Sequence, residues 1–95
     1  MKALAVNLVA HEKIKTTEAR AKELRPFIEK IVTKAKSGTV SNRRLTISKI
    51  GEETTKKLFE KIGPKYKDRN GGYTRIIKLP RRMGDGSRMA VIEFV

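Results

Sequence analysis

Apolar residues at Ala21, Leu24, Ile28, Ile31, Val32 and Ala35 recur in steps of three and four, and this single stripe constrains the fold more than any other feature of the chain. The spacing predicts a helix buried along one face. Thr17 stands where a hydroxyl would cap the first turn, Glu18 faces the positive end of the helix dipole, and Gly38 follows the last apolar position as a helix stop. Glu18 and Lys22 are spaced to pair along the outside. Pro26 conflicts with this reading, because a proline inside a helix costs about 3 kcal/mol and kinks the chain. The apolar phase nevertheless continues across Pro26, which favours one bent helix over two pieces. A helix with one apolar face must be covered by a second layer.

The remaining elements are read around that helix. Lys2 to Ala10 is rich in Ala, Leu and Val and predicts a short packed helix; His11 to Thr17 (HEKIKTT) reads as a short strand. Val40 to Ile50 is a further helix, with Ile47 and Ile50 on one side and Gly51 at its end. Glu52 to Ile62 is another: it opens on two acids, turns Leu58, Phe59 and Ile62 inward, places Glu53 and Lys57 four apart, and stops at Gly63-Pro64. Lys65 to Gly72 (KYKDRNGG) reads as a basic loop. Tyr73 to Leu79 (YTRIIKL) and Arg88 to Val95 (RMAVIEFV) read as strands, joined through the turn at Gly84-Asp85-Gly86 into a hairpin with a long basic loop. The expected architecture is a single α+β domain over residues 1–95. It has two layers, a small three-stranded sheet with helices on one face, in the order α-β-α-α-α-β-β.

Charge narrows the function. Lys and Arg number 23 against 10 Asp and Glu, a net charge of +13 spread along both halves of the chain. That density attracts polyanions and repels itself in the free protein. Nucleic acid, an anionic membrane face and an acidic protein are the partners it allows. A membrane surface calls for a basic helix with Trp or Phe on its apolar side; the chain has no Trp and its helices carry mixed charge. Ala3 to Ala10 is too short to span a bilayer, and no signal peptide is read. Without Cys there are no disulfides and no thiolate metal sites, and His11 beside Glu12 on a strand makes no metal site. The acids form no catalytic set. Gly71-Gly72 and Gly84-Asp85-Gly86 lack the strand–helix context and the Lys-Ser or Lys-Thr of nucleotide cradles. No enzyme, cofactor, metal or small-molecule substrate is expected.

The densest basic stretch is Lys65 to Arg88, where Lys65, Lys67, Arg69, Arg75, Lys78, Arg81, Arg82 and Arg88 face only Asp68 and Asp85. Arginine forks grip phosphate, the faces of Tyr66 and Tyr73 offer stacking for unpaired bases, and Gly71 and Gly72 let backbone N–H groups approach a phosphate. Arg43 and Arg44 are adjacent on a helix, so they cannot both turn inward. Lys13 and Lys15 flank Ile14 and point away from it, either as a basic stripe or as the blunting of an edge strand. The expected RNA-binding set is Lys2, Lys13, Lys15, Arg43, Arg44, Lys65, Lys67, Arg69, Gly71, Gly72, Tyr73, Arg75, Arg81, Arg82 and Arg88.

The string Leu8-Val9-Ala10-His11-Glu12-Lys13-Ile14-Lys15-Thr16-Thr17, followed by Ala19-Arg20-Ala21-Lys22-Glu23-Leu24-Arg25-Pro26, resembles the bacterial large-subunit ribosomal protein L17 family. So do Arg69-Asn70-Gly71-Gly72-Tyr73-Thr74-Arg75-Ile76, Arg81-Arg82 and Gly84-Asp85, in the family's order and spacing, over essentially the whole chain. The resemblance implies a three-stranded α+β fold. It also implies a structural role in the cytoplasmic large subunit of a bacterial or organellar ribosome, bound to 23S rRNA near the mouth of the peptide exit tunnel beside other ribosomal proteins. No homo-oligomer is expected. Members of that family usually begin with a further basic segment before the part matching Ala3-Leu4-Ala5, so the RNA contacts of that segment are not carried over. The alternatives are a free-standing RNA-binding or RNA-chaperone module outside the ribosome and a small enzyme acting on RNA.

Overall fold

A computed structural model describes residues 2–95. In chain order it contains α1 (Lys2–His11), β1 (Lys13–Thr17), α2 (Glu18–Ser37), α3 (Val40–Ile50), α4 (Glu52–Lys57) running on through a π-helical turn (Leu58–Ile62) into a last α turn (Gly63–Lys65), β2 (Thr74–Leu79) and β3 (Met89–Phe94). With α4 and its extension taken as one continuous helix, the order is α-β-α-α-α-β-β, an α+β domain. The three strands form one antiparallel sheet in the order β1-β3-β2.

The stripe of α2 is the centre of the core. Ala21, Leu24, Ile28, Ile31, Val32 and Ala35 are all buried. The Thr17 hydroxyl accepts from Arg20 N–H at 3.3 Å, Gly38 adopts φ 64°, and Glu18 pairs with Lys22 at 3.0 Å. One helix runs through Pro26, whose ring sits on the exposed side. There the missing N–H leaves only a solvent-side carbonyl without its helical partner. This helix crosses one face of the sheet, meeting the inward residues Ile14, Ile76, Ala90, Ile92 and Phe94; α1, α3 and α4 close over the rest of its buried side. The molecule is elongated, 46 × 25 × 18 Å.

Two boundaries and one pairing differ from expectation. His11 ends α1 instead of starting β1, because Glu12 takes a left-handed conformation (φ 64°) while its N–H still donates to Leu8 O at 2.6 Å. Lys57 does not pair with Glu53. Its ammonium donates to Ala10 O at 2.8 Å, capping α1, and lies 4.0 Å from Glu12. The third helix also continues past Gly63-Pro64. Pro64 has no N–H to donate, and the backbone absorbs the mismatch by widening: Gly63 N–H reaches back five residues to Leu58 O. Gly63 sits tightly against α2, where a Cβ would lie 3.1 Å from the Ala35 carbonyl oxygen, closer than ordinary van der Waals contact.

Two threonines in the helical layer are also buried, which a polar residue does not advertise in sequence. The hydroxyls of Thr46 and Thr55 donate to the carbonyls of Asn42 and Gly51, four residues back, so neither carries an unpaired group into the core.

Candidate nucleic-acid interface

Two loops flank β2, one at each of its ends, and both are built by internal contacts. The first, residues 66–73, joins the last helical turn to β2. Its two tyrosines are anchors. Tyr73 is 1% and Tyr66 3% exposed, with ring centroids 5.3 Å apart, and Tyr66 also packs near Phe94. The Tyr66 hydroxyl donates to Val95 O, and the Tyr73 hydroxyl donates to Arg69 O at 3.2 Å while accepting from Lys36 Nζ at 3.0 Å. Burial pushes the Tyr66 hydroxyl above its ordinary pKa. Burial acts on Tyr73 in the same direction, but the hydrogen bonds from Lys36, Thr33 and the Gly71 backbone outweigh it and lower that pKa. The expectation that these rings stack on bases is therefore corrected: Tyr73 and Tyr66 hold the loop to the core and present no free face.

Glu29 locks the same loop from α2. Its carboxylate accepts the backbone N–H groups of Gly72 (2.8 Å), Tyr73 (3.0 Å) and Thr74 (3.1 Å), and the Thr74 hydroxyl (3.1 Å). The N–H of Gly72 is thereby spent on the chain's own carboxylate, which corrects its reading as a phosphate donor. Gly71 and Gly72 instead supply left-handed backbone (φ 86° and 64°) that turns the chain into β2. The loop leaves Lys67 and Arg69 exposed to solvent, beside the exposed Lys65 of the last helical turn.

The second loop, residues 80–88, joins β2 to β3. Arg82 is exposed but paired within its own loop. Its guanidinium makes a two-pronged contact with the Asp85 carboxylate, Nε to Oδ1 at 3.1 Å and Nη2 to Oδ2, and also reaches Ser87 Oγ. Asp85 Oδ1 accepts Ser87 N–H at 3.0 Å, while Arg82 N–H donates to Ser87 O and Gly86 N–H to Arg82 O. The Arg82 guanidinium holds the Asp85 carboxyl well below the usual carboxylate range, and Asp85 raises the Arg82 pKa in return. Arg81, Met83 and Arg88 are left exposed around this clasp, Met83 at 96%.

The other expected residues fall into two groups. Arg75 and Arg43 have partners in their own chain: Arg75 Nε lies 2.7 Å from Glu93 Oε1, and the half-buried Arg43 lies over the Phe59 ring at 5.6 Å. Lys2, Lys13, Lys15 and Arg44 are exposed. Lys2 on α1 and Arg44 on α3 are not brought to the two loops by the fold, and Lys13 and Lys15 lie on the sheet face turned away from α2.

A further basic cluster was not singled out in the sequence. Lys34 of α2 lies beside Lys49 of α3, with Lys30 one turn away, and the neighbouring Lys49 ammonium lowers the Lys34 pKa. Its only signal in the sequence is the four-residue spacing of Lys30 and Lys34; the approach of Lys49 depends on how α2 and α3 pack. Among the described residues no group of acids and His is arranged to hold a metal ion, and no helix is long and apolar enough to cross a membrane.

A family profile described as Ribosomal protein L17 matches residues 1–95. The chain belongs to the ribosomal protein L17 family. It is similar to the "Large ribosomal subunit protein bL17" of Sphingopyxis alaskensis, with 53% identity over 93 residues, 97% of this chain and 67% of that protein. The bL17 protein of Mycoplasmopsis pulmonis is 47% identical over 102 residues, covering 100% of this chain and 85% of the relative. That of Rhodopseudomonas palustris is 56% identical over 89 residues, covering 93% and 64%. The chain thus spans about two thirds of the length of two of these L17 relatives and most of the third.

Proposed function

We propose that the chain is a structural constituent of the large ribosomal subunit that binds 23S rRNA through its basic loops near the peptide exit tunnel, supporting subunit assembly and translation. The observation that carries this reading is the pair of internally braced loops on an L17-family scaffold of net charge +13. Each loop is held by its own hydrogen bonds and turns Lys65, Lys67 and Arg69, or Arg81 and Arg88, to solvent. Preorganised cations on rigid loops meet phosphates with little ordering cost, and their position, more than base contact, sets the register on a folded RNA. Neutralising phosphates releases condensed counterions.

The experiment is binding of the purified chain to large-subunit rRNA across a salt series. Five phosphate contacts from those five side chains give a log–log slope of roughly −3.5 to −4.5, at 0.7–0.9 per phosphate. A flat response would refute the reading. Sedimentation separates it from a free-standing RNA module: the chain is expected to travel with large subunits through a high-salt wash.

A further inference from the structure

The sheet has a second face. α2 covers the side carrying Ile14, Ile76 and Ile92, and side chains alternate along a strand. The registers therefore set three rows on the opposite side: Lys13–Glu93–Arg75, Lys15–Val91–Ile77 and Thr17–Met89–Leu79. Ile77, Leu79 and Val91 lie outside the core cluster, and Ile77 is 44% exposed, while Met89 beside them is buried. Ile77, Leu79 and Val91 form an aliphatic floor that no element among the described residues covers. Arg75 and Glu93 satisfy each other at one end. Lys13 and Lys15, along the β1 side, make no ion pair among the described residues.

We infer that this face docks a neighbouring protein, a segment whose aliphatic side chains sit on Ile77, Leu79 and Val91 and whose carboxylates meet Lys13 and Lys15. The inference rests on the large-subunit reading above and adds a protein partner to it. An apolar centre with a charged rim is the anatomy of a protein interface. Surfaces for nucleic acid are more polar and more uniformly positive, and those that take unpaired bases carry aromatic rings, of which this face has none. A second copy of the chain fits poorly, because a two-fold contact would bring the unpaired lysines of both copies into one interface. The occupant is therefore acidic at its edges where this chain is basic.

A diazirine amino acid, which inserts into protein and RNA alike, tests this in the full chain within assembled large subunits. It is placed at Ile77 and, as a control, at Lys67. Irradiation at position 77 is expected to give an adduct that survives ribonuclease and maps to one subunit protein close to its Asp or Glu residues; position 67 is expected to give an RNA adduct. Lys15→Glu in the same chain lowers the position-77 yield severalfold. An adduct at 77 that ribonuclease destroys, an adduct to a second copy, or none at 77 while 67 reacts overturns the docking surface and leaves the rRNA reading intact. Absence of the chain from large subunits overturns both.

Discussion

Glu29 is the residue whose loss tests the loop architecture most sharply. Its one carboxylate receives three backbone N–H groups and a hydroxyl from Gly72, Tyr73 and Thr74, and Tyr73 and Thr74 are buried. Hydrogen bonds to a charged acceptor contribute about 1.5–3 kcal/mol each, but bonds sharing one acceptor do not add. In Glu29→Ala the Gly72 donor can turn to water, while the donors of Tyr73 and Thr74 lose their partner in part-buried positions. Two such donors at about 1–2 kcal/mol each give a loss of about 2–4 kcal/mol. A domain of this size has a total stability of roughly 5–14 kcal/mol, so a large share is at stake. With about 4–8 °C per kcal/mol, the midpoint of thermal unfolding falls by roughly 8–32 °C. Glu29→Gln is expected to recover little, because its amide group aims donors at donors. Urea denaturation followed by circular dichroism measures the loss, and amide exchange at Gly72 to Thr74 locates it. A loss below about 0.5 kcal/mol with unchanged exchange would refute the argument that this carboxylate holds the loop.

The remaining predictions concern the helix packing and the second loop. Gly63→Val places a branched side chain against the Ala35 carbonyl and is expected to cost roughly 1–3 kcal/mol by overpacking, read from the urea midpoint. Arg81→Glu is expected to reduce incorporation into large subunits with an unchanged melting temperature; unchanged incorporation would mean the contact surface lies elsewhere. Arg82→Ala acts differently, through the turn: it should broaden the amide resonances of residues 82–87, a change that Arg81→Glu does not produce. Asp85 carries a pH test. Its folded pKa is depressed by Arg82, so its contribution is complete above the ordinary aspartate value and is lost as pH falls through the lower folded value. Side-chain carbon NMR should find Asp85 still ionised at a pH below the ordinary aspartate value, and Arg82→Ala should bring its titration back to the ordinary range.

The helical framework was legible because its signals are local. Thr17, the α2 stripe and Gly38 each mark α2 independently and agree, and their agreement carries the helix through Pro26. The hairpin was legible from the residue types of Tyr73–Leu79 and Arg88–Val95. What was hidden depends on tertiary neighbours. The extension of the third helix through Gly63-Pro64 needs the π-helical turn and the closeness of Ala35, neither of which is written between residues 52 and 65. The site was legible as charge and obscure as geometry. Basic residues of loops 66–73 and 80–88 were found by density alone. Density does not say that Arg82 closes on Asp85, that Arg75 closes on Glu93, or that Tyr66 and Tyr73 face inward. Arg82 and Asp85 are three apart in a turn with Ser87 two further on, a spacing that suits the clasp once the hairpin is known. Glu29 and the loop it holds are separated by the second half of α2 and the whole of two further helices, and no local pattern joins them.

The strand order carries a consequence for how the chain is made. β3 is the middle of the sheet, yet it is synthesised after both of its neighbours, so β1 and β2 emerge first with nothing between them. Contacts this distant in sequence form slowly and leave strand edges unpaired in the meantime. Lys13 and Lys15 on one waiting strand and Arg75 and Lys78 on the other set like charge against like. That repulsion discourages the two edges from pairing wrongly with each other, and it is relieved when Met89–Phe94 enters between them, bringing Glu93 opposite both Lys13 and Arg75. The last strand thus works as a keystone, and a nascent chain stopped short of it holds its helices without a sheet to close them.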